Sequence, residues 1–206
     1  LDNRLFEKMR GEVSDRVIEA LIATKRELFL PSNMRAYAYE DRPLPIGSGQ
    51  TISAPHMVAI MCEVLDIREG MKVLDIGTGC GYHAAVMARL VGPKGRVHSV
   101  ERLPDLAARA KENLVSAGIS NVHVIVGDGS LGLPEHAPFD RINVAASAPS
   151  VPAPLLDQLA KGGRMAIPVG AYSQDLILIT RNDGFEERRL MGVIFVPLIG
   201  AHGFRA

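Results

Sequence analysis

The stretch Val73-Leu74-Asp75-Ile76-Gly77-Thr78-Gly79-Cys80-Gly81-Tyr82 has the residue types to lay a nucleoside ligand against bare main chain. Glycine lets the backbone turn tightly and lets a ligand approach it closely. Two acids follow at the ends of later apolar runs. Glu101, next to Arg102, can accept hydrogen bonds from both hydroxyls of a ribose. Asp128, in Gly127-Asp128-Gly129, can accept from an exocyclic adenine amine. Each feature has a plain alternative: a tight turn, a solvated strand-end Glu, an Asp-Gly turn. Together, at consecutive strand ends of one sheet, they make a nucleoside site.

A second stretch, Pro43-Leu44-Pro45-Ile46-Gly47-Ser48-Gly49-Gln50-Thr51-Ile52-Ser53-Ala54-Pro55-His56-Met57, carries no Asp, Glu, Lys or Arg. It is rich in Pro, Gly and small hydroxyls and reads as a loop up to Ala54, with a helix opening at Pro55. Ser53 is its one strong candidate for chemistry. The same hydroxyl could instead cap the helix at Pro55. His56 reads as a helix-start or packing residue.

The elements that would position these residues alternate. A helix is expected over 14–30, with Ser14 as its N-cap and Val17, Ile18, Leu21, Ile22, Leu28 and Phe29 on one face. Strands are expected at 71–77, 95–101, 121–129, 139–146 and 163–170. Helices are expected at 82–91, 103–118 and 152–160. Alternation at this spacing means βαβ units and a mostly parallel, doubly wound sheet with right-handed crossovers. The tail changes character. Apolar runs at 175–180 and 187–199 flank Arg181-Asn182-Asp183-Gly184, a hairpin signal that adds antiparallel strands at the sheet edge. The expectation is one domain over 1–206, with an N-terminal helical and substrate-loop region (1–70), a cofactor-binding core (71–170) and a C-terminal hairpin (171–206).

Several classes recede. The 206 residues carry 23 basic and 23 acidic side chains, no Trp and 5% aromatics, which argues against a broad nucleic-acid surface. No apolar run has the length of a membrane helix. The start, LDNRLFEKMRGEVSD, does not read as a signal peptide. Two cysteines, Cys62 and Cys80, give no disulfide framework and suit a cytoplasmic protein. With His56 and His83 they match no metal-ligand spacing, so no metal is expected.

The glycine spacing is G-x-G-x-G, with Tyr82 where a dinucleotide loop has its third glycine, and no P-loop is present. S-adenosyl-L-methionine has adenine, ribose, a sulfonium and an amino acid but no phosphate. A neutral glycine loop with an acid for the ribose and another for the adenine suits it.

These residues carry a family resemblance. PLPIGSGQTISAPHMVAIM (43–61), VLDIGTGCGYHAA (73–85), SVER (99–102), VIVGDGSLG (124–132), FDRINVAA (139–146), LLDQLAKGGRMAIPVG (155–170) and FVPLIG (195–200) resemble the protein-L-isoaspartate (D-aspartate) O-methyltransferases. That family lies within the class I S-adenosylmethionine-dependent methyltransferases of Rossmann-like fold. The resemblance implies methyl transfer to the carboxylate of L-isoaspartyl or D-aspartyl residues in damaged proteins, leaving S-adenosyl-L-homocysteine. A methyl ester formed there closes to a succinimide that opens partly to normal Asp. It implies Ser53 as the active-site serine, and Gln50, Thr51, Asp75, Gly77, Thr78, Gly79, Tyr82, Glu101, Arg102, Asp128 and Gly129 around the cofactor. It also implies Leu44, Pro45, Ile46, Gly47, Val196 and Leu198 along a bound peptide. Cys80 stands where Ser is common in the family, and Ile199-Gly200 where some members carry a hydroxyl. The cofactor motifs alone leave RNA or a small molecule open as acceptor. Asp183-Gly184 is itself a pair that isomerises readily, so slow self-methylation of aged protein is expected.

Overall fold

A computed structural model of the chain describes residues 4–205. Its centre is a seven-stranded sheet in the order β5-β4-β3-β6-β7-β8-β9. The strands are β3 (Lys72–Ile76), β4 (Arg96–Glu101), β5 (Val122–Val126), β6 (Phe139–Val144), β7 (Leu159–Val169), β8 (Gln174–Arg181) and β9 (Phe185–Val193). β5 through β7 run parallel, while β8 is antiparallel to both of its neighbours. The chain proceeds outward from β3 through β4 to β5, then returns to lay β6 on the other side of β3. The cleft outside the strand ends opens at this reversal, where open α/β sheets bind ligands.

Period-two alternation along the strands feeds two cores. Val73 and Val97 join α2 (Asp15–Ala23), α3 (Pro55–Leu65), α4 (Tyr82–Val91) and α5 (Pro104–Ser116) on one face. Leu74, Ile76 and Val100 join Ile142, Val144 and the short α6 (Ala153–Asp157) on the other. Fully burying one such aliphatic side chain contributes about 1.5–3 kcal/mol. The N-terminal layer, α1 (Arg4–Met9) and α2, packs on the first face.

Five local expectations change. The helix expected over 14–30 stops at Ala23, where the Thr24 hydroxyl donates back to Ala20 O, and a 3-10 turn over Arg26–Phe29 follows. Ser14 stands at the N-cap position of α2, but its hydroxyl and its N–H both donate to Glu63 instead. The helix expected over 152–160 contracts to α6, because β7 begins at Leu159. Residues 44–52, expected as loop, form a small hairpin of their own, β1 (Leu44–Gly47) and β2 (Gln50–Ile52), outside the main sheet. Ser48 and Gly49 take positive φ at its tip. The expected strand over 187–199 ends at Val193, and residues 194–199 cross the ends of the parallel strands.

Candidate active site

Two cavities lie over the C-terminal ends of the strands and meet at a shared wall of Thr51, Ser53, Ala145 and Val196. The inner one runs along the glycine loop. The outer one, about 930 Å³, opens toward β9 and the tail.

The inner wall is held rigidly from below and behind. Gly77 and Thr78 both donate their N–H to Val100 O at the end of β4 (2.9 and 3.2 Å). Gly77 (φ +91°) and Gly81 (φ +90°) occupy the left-handed region, which glycine reaches without penalty. Glu101 lines the cavity and accepts from Gly79 N at 2.9 Å and from Leu103 N at 3.1 Å. Each carboxylate oxygen keeps lone pairs for a ligand hydroxyl. Thr78 shares a 2.6 Å hydrogen bond with Ser99, whose hydroxyl donates to Asp75 at 2.6 Å. Asn143 donates to the other Asp75 oxygen at 2.8 Å.

His83, also on this wall, accepts at Nδ1 from Asn143 (3.3 Å), which leaves its Nε2–H toward the Cys62 sulfur at 3.6 Å. Burial pushes the His83 pKa down to about 4, so the ring is neutral and does not repel a cation. Among the described residues the only charged side chains on the inner wall are Glu101 and Arg102.

The inner cavity gathers Gln50, Thr51, Gly77, Thr78, Gly79, Tyr82, Glu101, Arg102 and Gly129. Asp75 is a correction: it is completely buried beneath the loop, with both oxygens engaged, and supports the loop from outside the cavity. Asp128 accepts from the N–H and hydroxyl of Ser130 (2.9 and 2.7 Å) and from Ala201 N (2.7 Å), so its carboxylate anchors the tail beside the cavity, and its neighbour Gly129 lies on the wall.

On the peptide side, strand alternation turns Leu44 and Ile46 into the core. Pro45 and Gly47 face outward but line neither cavity; Pro43 reaches the outer one instead. Leu198 lies on the inner wall together with Pro197 and Ile199, while Val196 touches both cavities. Ser147 brackets Pro197, donating its N–H to Val196 O and accepting from Leu198 N, both at 2.8 Å. Proline suits this position because it has no N–H to satisfy.

Ser53 stands where the two cavities join. It does not cap α3. Ala54 is the N-cap residue, and the Asp41 carboxylate takes the His56 N–H at 3.0 Å. Among the described residues the Ser53 hydroxyl has no hydrogen-bond partner. His56 points away, 2.8 Å from Glu12.

The comparisons decide the family. Residues 2–203 match the model of the protein-L-isoaspartate(D-aspartate) O-methyltransferases. The chain belongs to this family. It is 63% identical, over 98% of its length and 96% of the relative, to the protein-L-isoaspartate O-methyltransferase of Methanothrix thermoacetophila. Against a homologue of that name from Archaeoglobus fulgidus it is 57% identical over 98% of its length and 94% of the relative. A solved protein-L-isoaspartate O-methyltransferase superposes with a TM-score of 0.92 at 35% identity, over 98% of this chain and 67% of that one. A Plasmodium falciparum protein described by the same activity, crystallised with S-adenosyl-L-homocysteine, gives 0.85 at 31% identity over 95% and 96%. The doubly wound, Rossmann-like methyltransferase fold expected from the sequence is therefore the fold of this family, and its members use S-adenosylmethionine.

Sequence reasoning missed several wall residues of this methyltransferase. Tyr172, Ser173, Gln174 and the 192–194 segment line the outer cavity, and no motif marks them. Gln174 had one usable signal. It is a polar residue at the start of an apolar strand, and it pairs with both backbone groups of Phe195, accepting from N at 2.6 Å and donating to O at 3.1 Å. Gly200 had another: a Cβ there would sit 2.0 Å from Asp128 Oδ1, so the tail can lie against that acid only as glycine.

Proposed function

We propose that this enzyme methylates the carboxylate of L-isoaspartyl, and of D-aspartyl, residues in damaged peptides and proteins, with S-adenosylmethionine as donor, and so starts their return to normal aspartate through a succinimide. The observation that carries this reading is the junction at Ser53. A nucleoside-type cavity and a wider, uncharged groove share one wall, and a hydroxyl with no internal partner stands on it.

The residues present suit the donor. When bound, it supplies a methyl group on a cationic sulfonium. The wall opposite is neutral backbone, a neutral His83 and small side chains, and Glu101 is the acceptor for ribose hydroxyls. Gln50, Thr51 and Leu198 close this cavity over the ligand; Gly77, Thr78, Gly79, Tyr82, Arg102 and Gly129 complete it.

An acceptor carboxylate, with an ordinary pKa near 4, is already ionised at neutral pH, so the site needs no general base. Ser53 donates a hydrogen bond to one carboxylate oxygen and leaves the other free to attack. A Lys or Arg at this position would bind the carboxylate more tightly, weaken it as a nucleophile and repel the sulfonium. Rate acceleration then comes from holding the reacting groups in line and excluding water. Among the described residues the outer groove carries no charged side chain, and it is lined by Pro43, Met57, Tyr172, Ile194 and Phe195, among others. This supports an extended peptide as occupant in preference to a polyanion such as RNA.

The same reading treats residues 1–206 as one working unit, with 1–70 and 171–206 supplying the peptide side and 71–170 the cofactor side. We place it in the cytoplasm, without membrane, nucleic-acid or metal partners. No helix of the described residues is long and apolar enough to cross a membrane. The test is transfer of labelled methyl to a peptide containing one isoaspartyl residue and to its twin with normal Asp. Label is expected in the isoaspartyl peptide alone; equal rates on both would refute the reading.

A further inference from the structure

Arg26 is completely buried, and no carboxylate among the described residues forms an ion pair with it. Its guanidinium instead donates to four backbone carbonyls. Nη1 reaches Ala38 O at 2.5 Å and Glu40 O at 3.5 Å; Nη2 reaches Arg42 O at 3.2 Å and Ser53 O at 3.0 Å. Its carbon centre lies 5.9 Å from the centroid of the Tyr82 ring, on the inner cavity wall. Nε has no partner. Removing a charge from water is costly, and neutral carbonyls offset that cost less completely than a carboxylate would. A leucine or methionine would fill this space without the cost, so packing alone does not account for an arginine here.

The four carbonyls explain the choice. Arg42 lies two residues before the β1–β2 hairpin, and Ser53 immediately follows it. Among the described residues that hairpin pairs with no other strand, and it is held to the fold by side-chain burial of Leu44, Ile46 and Ile52 without a sheet ladder to fix its base. One planar fork therefore ties the way into the hairpin to the way out of it. Lysine, with a single ammonium, cannot span the same set of acceptors in fixed directions. Burial of Leu44, Ile46 and Ile52 holds the hairpin to the core, and Ser53 leads into α3, whose first turn is held by Asp41 and not by Ser53 itself; neither fixes the direction of the Ser53 peptide.

We propose that Arg26 is the positioning residue for Ser53: by holding the Ser53 carbonyl and closing the base of the hairpin, it keeps the Ser53 hydroxyl aimed at the junction of the two cavities. This rests on the role assigned to Ser53. Arg26 touches neither cavity and takes no direct part in transfer.

The test is a double-mutant cycle with Arg26→Lys and Ser53→Ala, reading kcat and KM for an isoaspartyl peptide and the calorimetric Kd for S-adenosyl-L-homocysteine. Arg26→Lys alone is expected to lower kcat roughly tenfold, with the product Kd changed less than twofold. In the Ser53→Ala background the same substitution should change kcat less than twofold, because the hydroxyl it positions is gone. A general loosening of the fold would lower kcat by the same factor in both backgrounds, and that result overturns the proposal. An unchanged kcat in Ser53→Ala alone overturns the serine assignment, and this proposal with it. If Arg26→Lys does not fold, replacing Ala54 with lactic acid turns the Ser53 carbonyl into a weaker ester acceptor while leaving every side chain but the Arg26 contact undisturbed. A several-fold loss of kcat that disappears without the Ser53 hydroxyl supports the proposal, and no loss overturns it.

Discussion

The two halves of the active site share a wall but are held together by different means. The cofactor half stands on the ends of β3, β4 and β6, and its loop is fixed by bonds to the next strand: Gly77 and Thr78 to Val100, Gly79 to Glu101. The peptide half is made of segments that leave the main sheet: the β1–β2 hairpin and the tail from Ile194 onward. Apart from the inward Leu44 and Ile46 and the Ser147 backbone pair around Pro197, these are fixed by single side chains reaching across the fold. Arg26 grips the hairpin, and Gln174 grips the peptide group of Phe195. A donor of constant shape is thus met by a wall that regular structure makes rigid. Acceptors of varied sequence are met by segments whose position depends on a few replaceable contacts.

If that contrast holds, substitutions on the two sides should separate cleanly in their effects. The largest change is expected for Glu101→Ala. It removes a carboxylate that fixes Gly79 N and Leu103 N and faces the inner cavity. Hydrogen bonds to charged groups contribute about 1.5–3 kcal/mol each, so affinity for S-adenosyl-L-homocysteine should fall roughly 100-fold by calorimetry. Glu101→Gln should lose less. A change under threefold for the alanine variant would show that the loop is not the rigid part of the site. Next in size is Gln174→Ala, which frees both backbone groups of Phe195. The expected outcome is a fivefold to tenfold rise in KM for an isoaspartyl peptide with product affinity unchanged. Equal loss of both would erase the distinction between the halves.

The same contrast explains what could be read from the sequence. The cofactor half is local: a strand, a glycine turn and a helix start lie in one run of residues, and Glu101 ends the next strand. The parallel, doubly wound strands and the inner-wall glycines were therefore legible. Asp75 misled because strand alternation buries it below the loop whose motif contains it. The hold of Asp128 on the tail was not legible because its partner Ala201 is distant in sequence, and only the missing Cβ of Gly200 hinted at the contact. Leu44 and Ile46 were assigned to the peptide by their motif. In the folded hairpin they alternate inward, and a loop expectation carries no such alternation. The clamps by Arg26 and Gln174 leave no periodic trace, because one side chain meeting distant carbonyls sets no pattern along the chain.

A pH-dependent effect concerns stability and sharpens what rigidity means on the cofactor side. Asp75 lies buried under the loop, and burial pushes its pKa up to about 6, although Ser99 and Asn143 donate to it. The folded protein therefore holds this proton more tightly than the unfolded chain does. The stabilisation from Asp75 is fully present below the ordinary carboxylate pKa of about 4 and is lost as pH rises through about 6. Asp75→Asn has no such proton to lose. Its Tm relative to wild type should climb between pH 4 and pH 7, by an amount equivalent to about 2–3 kcal/mol at most. Thermal melts across that range measure it, and a difference that stays flat would mean the ionisation is not linked to folding.

The smallest and slowest effect compares two Asp-Gly pairs, one held and one free. At Asp128-Gly129 the carboxylate is bound by Ser130 and Ala201, and a Cβ at Gly129 would meet Ile76, so the segment has no room to swing. At Asp183-Gly184 the side chain is 96% exposed at the β8–β9 turn, tied only by a surface pair with Lys161, and nothing crowds Gly184. Attack of the Gly184 nitrogen on the Asp183 carboxyl expels water and closes a succinimide; water reopens it partly to isoaspartate, which is the substrate proposed for this enzyme. β8 spans Gln174–Arg181, and Gln174 lines the outer groove, so the turn lies about 25 Å along the strand from the molecule's own site. Only a second copy can reach it. Aged Ser53→Ala protein mixed with fresh wild type and labelled donor should therefore take up label, a few per cent of chains, in the peptide containing residue 183, at a rate proportional to the wild-type enzyme added. Asp183→Ser should abolish that label, and none should appear at residue 128. Label at 128 instead would mean that the tail does not hold Asp128, and that the cofactor side is looser than its hydrogen bonds imply.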